Sequence, residues 1–119
     1  MTEVVAAQIH GFLGLCNRAG QVILGQDACV EAVRRRSVSV VLLDAGCSEN
    51  TRKRFLDTCG THQIPLYELE ANKIAYAVGK DGRMVAAIKK GGMADKVLTL
   101  LKDEDDLSRE QDTGTTADD

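Results

Sequence analysis

Short apolar runs alternate with segments of helical periodicity along most of this sequence, and this alternation limits the possible folds more than any single motif does. The clearest strand signal is residues 38–43, which are so uniformly apolar that both faces of their sheet should be covered. Apolar residues recur at helical spacing over 3–17, 26–36 and 49–62, and shorter elements follow. The predicted order is α-β-α-β-α-β-α-β-α, which indicates an α/β fold with helices packed on a four-stranded sheet.

Helix-capping residues, a proline and a glycine mark the ends of several elements. Thr2 and Ser48 are suited to cap the helices that follow them. Pro65, the one proline in the chain, can open the third strand. Gly79 can stop the short helix over 71–78 in left-handed backbone. These signals predict where four of the elements begin or end.

Charge divides the chain into two parts. Residues 1–102 contain 14 Lys and Arg against 10 Asp and Glu, which gives a formal net charge of +4. Residues 103–119 contain one Arg against 8 Asp and Glu, which gives −7, and Leu107 is their one large apolar residue. We therefore predict a single domain over 1–102 followed by an acidic, disordered tail over 103–119. The basic domain favours an anionic partner.

Composition gives no support to a membrane, metal or redox protein. No apolar stretch approaches the ~20 residues of a membrane span, and the amino terminus lacks a signal-peptide pattern, so we expect a cytoplasmic protein. The four cysteines form no CxxC motif, and we expect reduced, structural thiols. His10 and His62 lack neighbouring ligand residues, and no metal or cofactor is predicted.

Catalytic motifs are absent from the sequence. There is no GxxxxGK[ST] phosphate loop, no GxGxxG fingerprint and no Ser-His-Asp set, so we predict that the chain is not an enzyme. One alternative concerns Asp44, which follows a buried strand, as the phosphorylated aspartate of a receiver domain does. No acidic cluster that could hold Mg²⁺ lies near the first strand to support it.

Several spaced motifs carry a resemblance to a known family. They are FLGLCNRAG at 12–20, VVLL at 40–43, SENT at 48–51, and AVGK at 77–80 running into VAAI at 85–88. Their order and spacing resemble the bacterial YlxQ-type members of the ribosomal seven-Ae/thirty-e superfamily, which binds kink-turn RNA. The resemblance covers residues 8–102 and implies a three-layer α/β/α sandwich with a mixed sheet.

The resemblance also implies where RNA would bind. Family members use three loops at one end of the sheet, which correspond here to residues 25–27, 44–47 and 80–84. Gly25 would allow a close backbone approach, and the helix that begins there would offer free N–H groups. The candidate RNA-binding residues are Arg18, Gly25, Gln26, Asp27, Ala45, Gly46, Arg52, Lys53, Lys80, Arg83 and Met84.

This sequence departs from the family pattern within those loops. Kink-turn proteins have a sequence like Gly-Thr-Asn-Glu with a Lys one helical turn later, whereas this chain has GQDA at 25–28 and Glu31. The Glu-Asp pair usual after the second strand is replaced by AG at 45–46. The resemblance therefore favours binding of structured RNA in general and leaves kink-turn specificity open.

Three groups of cations have more than one interpretation. The arginines at 34–36 end a predicted helix; we interpret them as a solvated helix end, with a phosphate-contacting patch as the alternative. Residues 52–54 lie near a helix start, where the dipole opposes cations, and this slightly favours an anionic partner. Lys89 and Lys90 follow the last strand, and we interpret them as a solvated edge.

We predict a non-catalytic RNA-binding protein associated with the ribosome or translation, with structured RNA as its partner and a translation-factor or ribosome contact as a further one. The alternative is a protein-interaction module that kept the fold and lost specific RNA binding. A gel-shift titration separates the two, because phosphate contacts weaken steeply with salt. The acidic tail is expected to screen the basic face, so truncation after Lys102 should tighten RNA binding.

Overall fold

The predicted alternation of elements is confirmed in the computed structural model, which describes residues 1–109. Its helices are α1 (Glu3–Arg18), α2 (Gln26–Arg34), α3 (Glu49–His62), α4 (Lys73–Val78) and α5 (Gly92–Leu100). Its strands are β1 (Val22–Leu24), β2 (Val38–Asp44), β3 (Leu66–Leu69) and β4 (Val85–Lys89). No helix in this range has the length and apolar character needed to cross a membrane.

The strands form one mixed sheet in the order β1-β4-β2-β3, as the resemblance implied. β4 is antiparallel to both β1 and β2, while β2 and β3 are parallel. The carboxyl ends of β1, β2 and β3 therefore meet the amino end of β4 at one end of the sheet. We call this the loop end and the opposite one the distal end.

Helices cover both faces of the sheet, which confirms the three-layer sandwich. On one face α1, α4 and α5 form a core cluster in which Leu13 and Ile74 join Leu42. On the other face α2 and α3 form a second cluster in which Val33 and Phe55 join Leu43. Successive residues of β2 thus face opposite layers, and the strand is buried on both sides, as its apolar sequence predicted.

The predicted caps are confirmed where the helices begin and end. Thr2 Oγ1 accepts a hydrogen bond from the Val5 N–H at 3.1 Å at the start of α1. Ser48 Oγ accepts one from the Thr51 N–H, also at 3.1 Å, at the start of α3. Gly79 ends α4 with φ 70° in left-handed backbone. Local backbone chemistry therefore sets these boundaries, as the sequence indicated.

Residues 103–109 differ from the disorder predicted after residue 102. Asp106 Oδ1 accepts a hydrogen bond from the Leu66 N–H at 3.0 Å, and the Leu107 N–H donates to the Leu66 carbonyl at 2.7 Å. Leu107 also packs against the α2–α3 cluster. One leucine among carboxylates gives no periodic signal, which is why composition missed these contacts. Residues 110–119 of the predicted tail lie outside the described residues.

The cysteines serve as core side chains. Cys16, Cys29 and Cys59 are buried, Cys47 is half-buried, and all four are free thiols. Burial raises the pKa of Cys29 and of Cys59 to about 12, which keeps both thiols protonated near neutral pH. A protonated, shielded thiol is a poor nucleophile, so the structural interpretation of these residues is supported.

Candidate nucleic-acid interface

The three predicted loops lie together at the loop end of the sheet. β1 runs into residues 25–27, β2 runs into 44–47, and residues 79–84 lead into β4. The Asp44 N–H donates a hydrogen bond to the Met84 carbonyl at 2.8 Å, which joins the second loop to the third. Strand topology thus gathers segments that are far apart in the sequence.

The β1–α2 turn gives α2 an open amino terminus. Gly25 has φ 95°, a region where a side chain would be strained, and no side chain caps the helix. The backbone N–H groups of the first turn can therefore donate to an acceptor at the positive end of the helix dipole. Asp27 is in this turn with 94% of its side chain exposed, and Arg54 Nη2 of α3 donates to its Oδ1 at 2.8 Å. The positive charge of the Arg54 guanidinium partly offsets the negative charge of the Asp27 carboxylate, which replaces the Asn of kink-turn proteins.

Asp44 fixes the shape of the second loop and is 1% exposed. Its Oδ1 accepts from the Gly46 N–H at 2.6 Å and its Oδ2 from the Asn72 N–H at 2.8 Å, so it ties the β2–α3 loop to the β3–α4 connection. A Cβ on Gly46 would lie 3.1 Å from Asp44 Oδ1, which accounts for glycine there. Both carboxylate oxygens are engaged and shielded, which argues against the receiver-like interpretation of Asp44.

The α4–β4 turn carries two of the predicted cations. Gly79 with φ 70° and Gly82 with φ 75° both have left-handed backbone, which bends the chain between helix and strand. Lys80 is exposed, whereas Arg83 and Met84 are half-buried. The Nε of Arg83 is buried and has no hydrogen-bond partner among residues 1–109, so this donor is unsatisfied in the arrangement that the side chain adopts here.

The other loop-end candidates differ in how freely they can meet a ligand. Arg52 is ion-paired with Glu68 of β3, with 27% of its side chain exposed. Lys53, next to it on α3, is exposed, and so is Ala45. Gln26 is half-buried in the first turn of α2. Lys53 is therefore the freer of the two candidate cations on α3.

Arg18 lies on the side of α1 that packs against α4. The preceding Asn17 donates from Nδ2 to the Val78 carbonyl at 3.4 Å, next to the start of the α4–β4 turn. A Cβ on Gly14 would meet the Ala77 carbonyl at 3.2 Å and Arg18 Nη1 at 3.5 Å. The missing side chain at position 14 thus lets α1 approach α4 and positions Arg18 near the third loop.

Two residues outside the predicted set lie close to these loops. Arg54 reaches Asp27 from another element, and no local pattern in the sequence reveals that contact. Tyr76 on α4 is 86% exposed, the one exposed aromatic side chain among residues 1–109. Lys73 is one helical turn before it, and Lys80 follows the end of the helix. The lysine spacing was visible in the sequence, but the exposure of Tyr76 was not.

The fold and the loops agree with a comparison to protein families. The model of the ribosomal protein L7Ae/L30e/S12e/Gadd45 family matches residues 7–98. The chain belongs to this family. The membership that the sequence motifs predicted is confirmed, and the matched range contains all three loops and every candidate residue.

Curated relatives cover most of the chain. It is 34% identical over 90 residues to the RNA-binding protein YlxQ of Bacillus subtilis (strain 168), which is 75% of this chain and 90% of that protein. It is 31% identical over 103 residues to the RNA-binding protein YlxQ of Enterococcus faecium, which is 86% of this chain and 99% of that protein.

Solved structures show the same architecture. A protein of unknown function from Bacillus halodurans C matches with a TM-score of 0.75 at 33% identity, covering 81% of this chain and 98% of that one. The Giardia lamblia 15.5kD RNA binding protein matches with a TM-score of 0.73 at 14% identity, covering 90% and 92%. The second match shows that a protein of distant sequence shares this fold.

Proposed function

We propose that this chain is a non-catalytic RNA-binding protein that holds structured RNA at the loop end of its sheet. The observation that carries the proposal is the meeting of the open α2 amino terminus with two further loops, in a family whose curated relatives here are named RNA-binding proteins. Single-stranded nucleotides splayed out of an RNA helix present base edges and phosphates that accept hydrogen bonds. The N–H groups after Gly25 and the half-buried guanidinium of Arg83 are donors suited to them.

Each loop-end side chain has a role that follows from its chemistry. Lys53, Lys80 and Arg83 are suited to phosphate contacts, which fix the position of an RNA without selecting its sequence. The apolar surface of Met84 and the ring of Tyr76 can support an unstacked base. Selectivity then comes from the backbone N–H groups of the β1–α2 turn and from these base contacts.

We propose ribosomal RNA in the cytosol as the class of ligand, with a relaxed preference for kink-turns. A carboxylate at Asp27 can accept from guanine N–H groups but, unlike an amide, cannot donate. Its ion pair with Arg54 reduces its repulsion of phosphate. Ala45 and Gly46 offer no polar side chain to a base, which also favours relaxed preference over strict kink-turn reading.

Fluorescence anisotropy with labelled RNA tests the proposed function. The full chain is titrated into a two-stem kink-turn hairpin and into a plain duplex of equal length, over a series of salt concentrations. We expect dissociation constants that rise steeply with salt and a modest preference for the hairpin. If neither these RNAs nor ribosomal RNA fragments show salt-sensitive binding, the proposed function is wrong and the alternative of a protein-interaction module is favoured.

Replacing Tyr76 with Ser is expected to weaken RNA binding by a factor of about 5 to 150, because stacking on an aromatic ring contributes about 1–3 kcal/mol per base. Tyr76→Phe keeps the ring and should keep the affinity. The chain has no tryptophan, and its other tyrosine, Tyr67, is 8% exposed. Added RNA should therefore quench the fluorescence of Tyr76 and leave that of Tyr67 unchanged.

Matched tyrosine variants separate the two signals. Tyr67→Phe should retain the quenching, and Tyr76→Phe should abolish it while binding by anisotropy persists. Equal affinity of Tyr76→Ser and the unmodified chain would show that Tyr76 does not touch the RNA.

Removing residues 110–119 is expected to tighten RNA binding at low salt. This segment contains four Asp and Glu and no Lys or Arg. A cut after Arg109 keeps the contacts of Asp106 and Leu107 with β3, which a cut after Lys102 would remove. Anisotropy at low and high salt measures the effect, which should vanish at high salt because charges are screened. Equal affinity of the two chains at low salt would rule out competition by the tail.

A further inference from the structure

The distal end of the sheet gathers cations that are far apart in the sequence. The register pairs Val38 with Lys89, and the Lys90 N–H donates to the Ser37 carbonyl at 3.2 Å. The carboxyl end of β4 therefore lies against the segment that joins α2 to β2. We define the distal basic surface as Arg34, Arg35, Arg36, Lys89 and Lys90, all of which are exposed.

Strand geometry puts Lys89 on the face of the sheet that α2 covers. Along β4, Ala87 belongs to the α2–α3 cluster and Ile88 to the opposite one. Side chains alternate along a strand, so Lys89 projects on the α2 side. Its cross-strand partner Val38 belongs to the α2–α3 cluster as well. Lys89 and the arginines at the end of α2 thus form one surface.

Few carboxylates offset this positive charge. Arg35 is ion-paired with Glu31 at 3.1 Å, and both side chains are largely exposed. Arg34, Arg36, Lys89 and Lys90 have no ion pair with any residue in the described part of the chain. Four of the five cations of this surface therefore have no carboxylate partner among residues 1–109.

The loop end, in contrast, is close to electrical balance. Two of its arginines are paired, Arg54 with Asp27 and Arg52 with Glu68. Overall, the loop end has six carboxylates against seven cations. The carboxylates are Asp27, Asp44, Glu49, Glu68, Glu70 and Asp81, and the cations are Arg18, Arg52, Lys53, Arg54, Lys73, Lys80 and Arg83. The long-range attraction of the domain for a polyanion therefore arises mainly at the distal basic surface.

We propose that the distal basic surface holds the phosphate backbone of a second segment of the RNA that is bound at the loop end. The proposal rests on the proposed function and adds a second contact to it. Compensation of a helix dipole would account for Arg34 and Arg35, but not for Lys89 and Lys90, which end a strand. A surface of Arg and Lys without amide or aromatic side chains suits phosphates rather than base edges.

The separation of the two ends defines the shape of the RNA. β2 spans seven residues, and at about 3.3 Å per residue its ends are roughly 20 Å apart. An RNA in contact with both ends must present two separate tracts of backbone. A bent RNA such as the two-stem kink-turn hairpin does this, whereas a hairpin with a single short stem does not. The distal contact should therefore depend on the length of one stem.

Arg36 allows a test that separates charge from folding, because it ends α2 in left-handed backbone with φ 55°. Gln63 ends α3 in the same way with φ 57° and is the neutral, matched control. Glycine is favoured at both positions, so neither Arg36→Gly nor Gln63→Gly should lower the melting temperature. We expect Arg36→Gly to weaken binding of the two-stem RNA roughly fivefold at low salt and to reduce the salt slope by about 0.7, while Gln63→Gly changes neither.

The triple variant Arg34→Gln/Lys89→Gln/Lys90→Gln is expected to reduce the salt slope by about 2. With one stem of the RNA cut back to its first few base pairs, the triple variant should differ from the unmodified chain only by the few-fold loss that removing cations causes through the general field of the domain. If the unmodified chain binds the two-stem RNA and the triple variant has the same slope, the distal contact is wrong and the loop-end function stands. If the unmodified chain binds no RNA, both proposals are wrong.

Discussion

Asp44→Ala is expected to lower the free energy of unfolding by about 3 kcal/mol, because hydrogen bonds to charged groups contribute about 1.5–3 kcal/mol each and partial access of water to the freed groups limits the total. The substitution leaves the N–H groups of Gly46 and Asn72 without their acceptors. Asp44→Asn keeps one acceptor oxygen, so it should cost roughly half as much. Urea unfolding measures both effects, as midpoints that fall at an unchanged slope.

An exposed acid in the α4–β4 turn provides the control for Asp44. Asp81→Ala should stay within about 0.5 kcal/mol of the unmodified chain, as surface substitutions usually do. If Asp44→Ala were equally mild, Asp44 would not hold the two connections together, and its burial would need another explanation. Because asparagine keeps the volume of aspartate, a clear loss of stability in Asp44→Asn would identify the hydrogen bonds as a cause, whereas an Asp44→Asn variant as stable as the unmodified chain would point to side-chain volume.

The fold could be predicted because its signals are local and repeated. Residues 38–43 are apolar enough to indicate a strand covered on both faces, and caps such as Thr2 and Ser48 act through neighbours within three residues. The packing of residues 103–109 could not be predicted, since it depends on Asp106 and Leu107 meeting Leu66 from a distant part of the chain. Composition contains no information on individual long-range contacts, so the acidic composition of these residues predicts disorder.

The candidate site could be predicted only in its location. Family resemblance indicated three loops, and the topology brings them to one end of the sheet. The pairing of Asp27 with Arg54 and the hydrogen bond that Asp44 accepts from the Asn72 N–H join residues that meet only in the folded chain, so no spacing along the sequence encodes them. The same holds for the distal basic surface, because only the register of Val38 with Lys89 brings its two halves together.

The triple variant Lys53→Gln/Lys80→Gln/Arg83→Gln is expected to weaken RNA binding about 100-fold near 0.1 M salt and to lower the salt slope by about 2–3, since each phosphate contact contributes about 0.7–0.9 to that slope. Lys53 and Lys80 are exposed, and the buried Nε of Arg83 lacks a partner within residues 1–109. All three lie at the loop end, where the RNA is proposed to bind. Anisotropy with the two-stem hairpin measures the loss.

The double variant Lys96→Gln/Lys102→Gln controls for nonspecific loss of charge, because both lysines are exposed and neither belongs to the three loops of the loop end or to the distal basic surface. It should reduce RNA affinity only a few-fold through the general field of the domain. If this control lost as much affinity as the loop-end variant, binding would follow net charge rather than the loops. A site at the loop end instead requires that binding depends on which cations are removed. That dependence would also survive when the total charge is restored by cutting the acidic tail after Arg109.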